Sequence, residues 1–156
     1  MVELTLALAR EMLACSGLSD VDPAEALRDG RAMDSWRAMV RAQGGDPSAK
    51  LAKAPVRDLV TAGADGYVTG VDAYQMGIAA WRLGAGRARK EDPVSPGAGV
   101  ILHKVVGDAV RAGEVLYELR ADDEGRLAMA RGSAAEAVTI GPEPAEREPL
   151  VLDRVS

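Results

Sequence analysis

Apolar residues recur at helical spacing through the first 44 residues, a stretch without runs of β-branched residues. Positions near i, i+4 predict a first helix that ends at Gly17 and buries one apolar stripe. That stripe consists of Leu4, Leu8, Met12 and Cys15. No Ser, Thr, Asp or Asn stands before Val2 to cap the helix. We therefore expect Val2 to lie inside a truncated helix rather than at a natural helix start.

Two more helices follow before residue 45. The second opens at Asp22, whose side chain is expected to accept from the backbone N–H of Glu25, and it ends near Gly30. The third closes at Gly44-Gly45, and its apolar side holds Trp36, Met39, Val40 and Gln43. Exposed Leu/Met stripes normally mark a covered surface, so we expect another layer to pack on these helices.

Beyond a polar connection at 46–57, the pattern changes to short β-type runs. Residues 59–61 and 66–71 flank an Asp65-Gly66 turn signal, which predicts a first hairpin. Further strands are predicted at 99–104, 115–119 and 137–140. Val110, Leu116 and Leu119 are expected to face the core, with two turns at 107–108 and 112–114.

Two helical stretches interrupt these strands. The first runs from the N-cap Asp72 to Leu83 and stops at Gly84, and the second is a weak helix at 123–136. A glycine-rich, highly charged loop follows Gly84 up to Pro93, and the tail from Gly141 is mostly coil.

Composition and charge exclude several classes of protein. A single cysteine excludes a disulfide scaffold, and 24 acidic against 19 basic residues, net charge −5, make nucleic acid an unexpected partner. No apolar run approaches the roughly 20 residues that span a bilayer, and the start lacks a secretory signal pattern. We therefore expect a cytoplasmic protein without a membrane partner.

Few residues are candidates for chemistry. His103 is the only histidine, which excludes a multi-histidine metal site, and it is interpreted as a polar strand-end residue. Cys15 is interpreted as a small core residue. Asp122 and Asp123 are adjacent and expected to be solvated, unlike a glycosidase pair.

The loop at 84–92 is the strongest candidate for an anion site. It combines two glycines with three cations: Gly84, Gly86, Arg87, Arg89 and Lys90. It follows a helix and lacks Gly-Lys-Ser/Thr, so it is not a P-loop. A charged connection that fixes interdomain geometry is the favoured interpretation, with anion binding as the alternative.

The glycine spacing at 107–116 resembles the barrel-sandwich modules of biotinyl and lipoyl carriers. Those carriers need an exposed lysine at a hairpin tip, and the turn at 120–124 contains none. A swinging-arm carrier is therefore disfavoured.

Five blocks in consistent order resemble the C-terminal third of the thymidine and pyrimidine-nucleoside phosphorylases, from Val2 to about Ile140. They are 2–12 (VELTLALAREM), 43–46 (QGGD), 64–68 (ADGYV), 83–92 (LGAGRARKED) and 99–113 (GVILHKVVGDAVRAG). The resemblance implies an α+β fold. Helices from the edge of an α/β domain (1–56) would precede a barrel-sandwich-hybrid-like β domain with a helical insertion (57–156).

The family's activity is implied only for a complete enzyme. Such pentosyltransferases (glycosyltransferases) of nucleoside salvage cleave thymidine, deoxyuridine or uridine with phosphate, giving the base and a pentose 1-phosphate. The family's Lys-His-Ser-Thr-Gly-Gly and Ser-Gly-Arg-Gly motifs are absent here. We therefore expect no catalytic, substrate-binding or metal residue in this chain, and no cofactor beyond phosphate as co-substrate.

The expected partner is the missing N-terminal portion of the phosphorylase, and complete members are expected to be homodimers. The chain alone is expected to be inactive and structural. The alternative is a free-standing anion-binding or regulatory module without catalysis.

Overall fold

The protein is described from a computed structural model, which covers residues 1–153 and residue 155. Contacts divide the chain into two compact units. Unit 1 contains Met1–Lys50 with the C-terminal residues from Glu148, and unit 2 contains Leu51–Arg147. The domain division at 1–56 and 57–156 stays a prediction. Within the described residues, none of the helices is long and apolar enough to cross a membrane.

Unit 1 contains the three predicted helices, α1 (Val2–Cys15), α2 (Pro23–Arg28) and α3 (Arg31–Ala42). Glycines in the left-handed conformation follow α1 and α3, at Gly17 (φ 73°) and Gly44 (φ 80°). Their backbone N–H groups bond to carbonyls of the last helical turn, which terminates both helices as predicted. Asp22 caps α2, but its side chain accepts from the N–H of Ala24 at 3.1 Å instead of Glu25.

The predicted buried stripe of α1 is wrong. Leu8 and Met12 are 56% and 71% exposed, and Cys15, expected in the core, is also exposed. Leu4 of the predicted stripe is only half-buried, as are Leu6 and Leu13 on another side of α1. Helical spacing identifies an apolar stripe correctly but does not say whether anything covers it.

Unit 2 contains six strands and two α-helices. In chain order they are β1 (Val56–Thr61), β2 (Gly66–Val71), α4 (Ala73–Ala80), β3 (Gly99–Leu102), β4 (Ala109–Val110), β5 (Val115–Ala121), α5 (Glu124–Ala135) and β6 (Val138–Gly141). A π-helical turn, Trp81–Ala85, continues α4, although Gly84 within it has non-helical backbone angles (φ 109°, ψ 5°). The mixed α+β class is confirmed, with helices first and two small antiparallel sheets after them.

The strands form two three-stranded antiparallel sheets, ordered β1-β5-β3 and β4-β2-β6. The predicted hairpin of the first two strands is therefore wrong. β1 pairs with β5, placing Asp58 opposite Leu119, whereas β2 pairs with β6, placing Val68 opposite Ile140. The strand β4, predicted only as a stretch between turns, pairs with the start of β2.

Long-range hydrogen bonds explain why the Asp-Gly turn does not close a hairpin. The N–H of Ala62 donates to the carbonyl of Glu114, and the N–H of Gly113 donates to the carbonyl of Ala62, both at 2.8 Å. The Asp65 carboxylate accepts from the N–H of Ala112, also at 2.8 Å. The two turns thus bind each other, and the chain passes from one sheet to the other between them.

The core of unit 2 lies among both sheets, α4 and α5. Val110, Leu116 and Leu119 are buried as predicted, and Leu119 is completely inaccessible to solvent. The Tyr117 hydroxyl donates to the carbonyl of Ala134 in α5 at 2.6 Å. Burial, together with the nearby Asp58, raises the pKa of Tyr117 above its usual value, so this phenol stays protonated in the folded protein.

Candidate functional site

The start of the glycine-rich loop is held by close contacts and a hydrogen bond. Gly84 has φ 109°, and a Cβ there would lie 3.0 Å from a guanidinium nitrogen of Arg126, so glycine suits both the backbone and the contact. The N–H of Ser95 donates to the carbonyl of Gly84 at 2.9 Å, which joins the two ends of the loop. Gly86 packs so closely on Trp81 that a Cβ would lie 2.8 Å from the indole Cδ1.

Two backbone donors of the loop bind the loop's own carboxylate. The N–H groups of Ala88 and Arg89 donate to the same oxygen of Asp92, at 3.1 and 2.9 Å. The Arg87 guanidinium donates to the carbonyl of Lys90 at 3.2 Å. The Asp92 carboxylate therefore closes the loop on itself by accepting from two of its backbone N–H groups.

Removing the Asp92 carboxylate should open this loop. In Asp92→Ala, the amides of Ala88 and Arg89 lose their charged acceptor, and we expect their hydrogen exchange to accelerate about tenfold, corresponding to roughly 1.4 kcal/mol. Asp122→Ala is the matched control, because Asp122 accepts only from the Ser95 hydroxyl among the hydrogen bonds of this region, at 3.0 Å. Equal exchange rates in both variants would contradict the role assigned to Asp92.

A cavity of about 240 Å³ adjoins the loop. Its walls include Trp81, Met129 and two arginines, Arg82 and Arg126. Arg82 donates to the Ser133 hydroxyl at 2.7 Å and to the carbonyl of Met129 at 3.3 Å. Arg82 therefore connects the π-helical turn to α5, whereas Arg126 pairs with Asp123 at the start of its own helix.

No pattern in the sequence predicts this cavity. Its walls come from two parts of the chain that lie far apart, the π-helical turn with the adjoining loop on one side and α5 on the other. Only the packing of α5 against α4 and the π-helical turn brings them together.

His103 lies just beyond the end of β3 and is exposed, as predicted. The N–H groups of His103 and Lys104 both donate to the carbonyl of Leu116, at 2.9 and 3.1 Å. The Lys104 ammonium pairs with Glu114 at 2.5 Å. The hydrogen bond from Lys104 is the main cause that lowers the pKa of Glu114, and the hydrogen bond from the N–H of Arg111 is the second. Both bonds favour the ionised carboxylate.

The paired aspartates are exposed, as expected, and have structural contacts. Asp122 accepts from the Ser95 hydroxyl, while Asp123 caps α5 by accepting from the N–H of Arg126 at 2.9 Å. Among residues 1–153 and 155, no group of three or more His, Cys, Asp or Glu is arranged to hold a metal ion.

Comparison with known proteins gives one consistent family. The family model described as "Pyrimidine nucleoside phosphorylase C-terminal domain" matches residues 67–141, which lie within unit 2. The chain is 46% identical over 154 residues to a thymidine phosphorylase of Mycobacterium tuberculosis, covering 99% of this chain. It is 35% identical over 137 residues, 85% of its length, to a pyrimidine-nucleoside phosphorylase of Geobacillus stearothermophilus. An AMP phosphorylase of Natronomonas pharaonis is 36% identical over 146 residues, 90% of this chain.

These relatives are much longer than the chain. It spans 36%, 31% and 27% of the length of the three proteins, respectively. The similarity to the first extends through all three helices of unit 1 as well as through unit 2, because it covers almost every residue.

Proposed function

Because the chain belongs to the thymidine and pyrimidine-nucleoside phosphorylase family and represents its C-terminal portion, we propose that it supports phosphorolysis without carrying the reacting groups. The reaction is the phosphate-dependent cleavage of thymidine, deoxyuridine or uridine to the free base and a pentose 1-phosphate. The observation that carries the proposal is the 154-residue match at 46% identity, which spans only 36% of the relative.

The chemistry of phosphorolysis explains why this chain by itself is proposed to be inactive. Phosphate attacks the anomeric carbon while the departing pyrimidine gains negative charge, so both sides of the bond need positioned donors or cations. In the loop at 84–92, the backbone donors of Ala88 and Arg89 bind Asp92 instead. The chain is proposed to give structural support to an active site formed by other residues of the complete enzyme.

The finer assignments belong to the same proposal. The helices of unit 1 are taken as the edge of the enzyme's α/β domain, and unit 2 as its barrel-sandwich-like C-terminal domain. The N-terminal portion of the phosphorylase is the proposed partner, with a cytoplasmic homodimer as the proposed complete form. Inorganic phosphate serves as co-substrate, and no other cofactor is invoked.

A chimeric enzyme tests the function. In the Mycobacterium tuberculosis thymidine phosphorylase, this chain replaces the matching 154-residue stretch. We expect the chimera to release thymine from thymidine only when phosphate is present, whereas the 156-residue chain alone releases none. The unaltered M. tuberculosis enzyme provides the reference for folding and for rate.

Two results would contradict the proposal. Phosphate-dependent release by the isolated chain, surviving repurification, would place a site within it. A chimera that folds with the stability of the natural enzyme but lacks phosphorolysis would show that this chain cannot replace the family's C-terminal portion.

A further inference from the structure

The cavity of about 240 Å³ beside the glycine-rich loop has more positive than negative charge in its walls. Arg82 and Arg126 line it, together with one acidic residue, Asp92, all in the described part of the chain. Asp92 forms a salt bridge with neither arginine among the described residues, and one of its oxygens accepts from the N–H groups of Ala88 and Arg89. The two guanidinium charges are therefore not neutralised by the acid of the same cavity.

The side chain of Arg82 has only neutral hydrogen-bond partners within residues 1–153 and 155. Its Nη1 atom donates both to the Ser133 hydroxyl at 2.7 Å and to the carbonyl of Met129 at 3.3 Å. A guanidinium also has N–H donors on Nε and Nη2. Those donors of Arg82 are available to a ligand.

The side chain of Arg126 is held in place with little use of its charge. Its Nε lies 3.7 Å from the carboxylate of Asp123, whose side chain is 60% exposed. An exposed pair at this distance contributes little free energy, so Asp123 is a weak competitor for the guanidinium. The Nη1 atom lies against Gly84, 3.0 Å from where a Cβ would stand, which keeps the guanidinium at the start of the loop.

Apolar surface lies next to these two cations. Trp81 and Met129 in the cavity wall are 43% and 57% exposed, and Pro93 adds a third apolar side chain. An indole ring and a thioether both make favourable contacts with aromatic rings. The cavity is smaller than the roughly 300 to 1,000 Å³ of sites for drug-sized ligands, so its volume suits a ligand with a single ring.

We propose that this cavity is a binding site for a small aromatic carboxylate, a single planar ring that bears one carboxylate group. Arg82 and Arg126 donate to the carboxylate, because a guanidinium matches the geometry of a carboxylate with parallel N–H···O bonds. The ring packs on Trp81 and Met129. This inference is independent of the proposed function, because it concerns binding to the 156-residue chain alone.

The neighbouring cavity is less suitable for an anion. Arg126 and Pro93 also line a second cavity of about 240 Å³, which has Ser95 and Asp122 in its wall. One carboxylate accompanies one guanidinium there, whereas the first cavity has two guanidinium groups for one carboxylate. The charge balance therefore places the ligand in the first cavity.

The experiment is a titration of the ¹⁵N-labelled 156-residue chain with benzoate, followed by NMR. The indole N–H signal of Trp81 reports on the cavity, and that of Trp36, the other tryptophan, reports on unit 1. We expect the Trp81 signal to shift to saturation while the Trp36 signal stays in place. A Trp81 signal that does not move up to about 10 mM benzoate would overturn the proposal, since the dissociation constant would then exceed the millimolar range.

Three further probes separate the parts of the recognition. Benzamide lacks the charge and is expected to bind about tenfold more weakly than benzoate. Cyclohexanecarboxylate lacks the planar ring, and inorganic phosphate lacks any apolar part, so both are also expected to bind more weakly. Equal affinities for benzamide and benzoate would overturn the role of the arginines. Phosphate binding as tight as benzoate binding would overturn the aromatic class of the ligand.

Variants test the two arginines directly. Arg82→Gln and Arg126→Gln should each weaken benzoate binding about tenfold, because each removes charged donors. Arg89→Gln is the matched control, since it changes the net charge equally in the same region, but Arg89 does not line the cavity. Equal weakening by all three variants would show a non-specific charge effect and overturn the site. If Arg126→Gln lowers the melting temperature, Arg126→Lys, which keeps the charge and loses the planar fork, replaces it with the same expected direction.

Discussion

Leu119→Ala is expected to lower the free energy of unfolding of unit 2 by about 2 to 5 kcal/mol. Leu119 is completely inaccessible to solvent, in β5, the central strand of its sheet. Its cross-strand neighbours are Asp58 on β1 and Val100 on β3, so β5 is paired on both sides at this position and the side chain projects from the sheet into the core. The truncation leaves a cavity that these strands cannot close without losing their register.

Chemical denaturation checks this expectation. The fluorescence of Trp81 reports on unit 2 once Trp36 in unit 1 is replaced by phenylalanine. Leu59→Ala is the control, since Leu59 on the adjacent strand β1 is 42% exposed and should cost far less. Similar losses for both leucines would show that the core does not centre on β5.

Gly97→Ala is expected to destabilise unit 2 by about 1 to 3 kcal/mol through steric overlap. A Cβ at Gly97 would lie 2.5 Å from the backbone nitrogen of Ala54 and 2.8 Å from the carbonyl carbon of Lys53. Backbone atoms cannot rotate away as a side chain can, so residues 53–54 must move. That movement breaks the 3.1 Å hydrogen bond from the N–H of Ala54 to the carbonyl of Gly97.

The loss of stability should extend to a partly buried ion pair. The Arg120 guanidinium pairs with the buried Glu118 and also donates to the carbonyl of Ala54 at 3.2 Å. Displacing Ala54 weakens the second bond. Gly63→Ala is the control, because no atom lies within 4 Å of a Cβ there, and its change should stay within about 0.5 kcal/mol. Equal midpoints of denaturation for the two variants would contradict the close approach.

Most secondary structure was predictable because its signals are local. Asp72 caps α4 by accepting from the N–H of Gln75 at 3.0 Å, three residues away, as the sequence indicates. Gly17 and Gly44 end their helices through bonds to the preceding turn. The strand at Gly66–Val71 has the predicted bounds. Each of these interactions lies within a few residues of its signal.

Strand pairing was not predictable in the same way. The Asp65-Gly66 signal correctly marks a change of direction, but the Asp65 side chain bonds to Ala112, 47 residues away. β4 has only two residues, too few for an alternating pattern. The sequence gives no reason to prefer β5 over β2 as the partner of β1, since all three carry comparable apolar residues.

The contacts within the candidate anion loop could not be predicted from the sequence either. Its glycines, cations and Asp92 are all visible in the sequence, and both an anion site and a charged connection between domains were compatible with them. The structure adds that the Asp92 carboxylate accepts from the N–H groups of Ala88 and Arg89 within the loop, a contact that the sequence does not indicate.

By itself, the sequence determined the helices, most strands, the α+β class and the family, because these depend on local hydrogen bonding, periodicity and ordered motifs. Only the tertiary structure decided which strands pair, that Cys15 is exposed, and that Asp92 accepts from two backbone N–H groups of its loop. The physical reason is that pairing and burial depend on contacts between residues far apart in the chain, whose free energy is not encoded at either position alone.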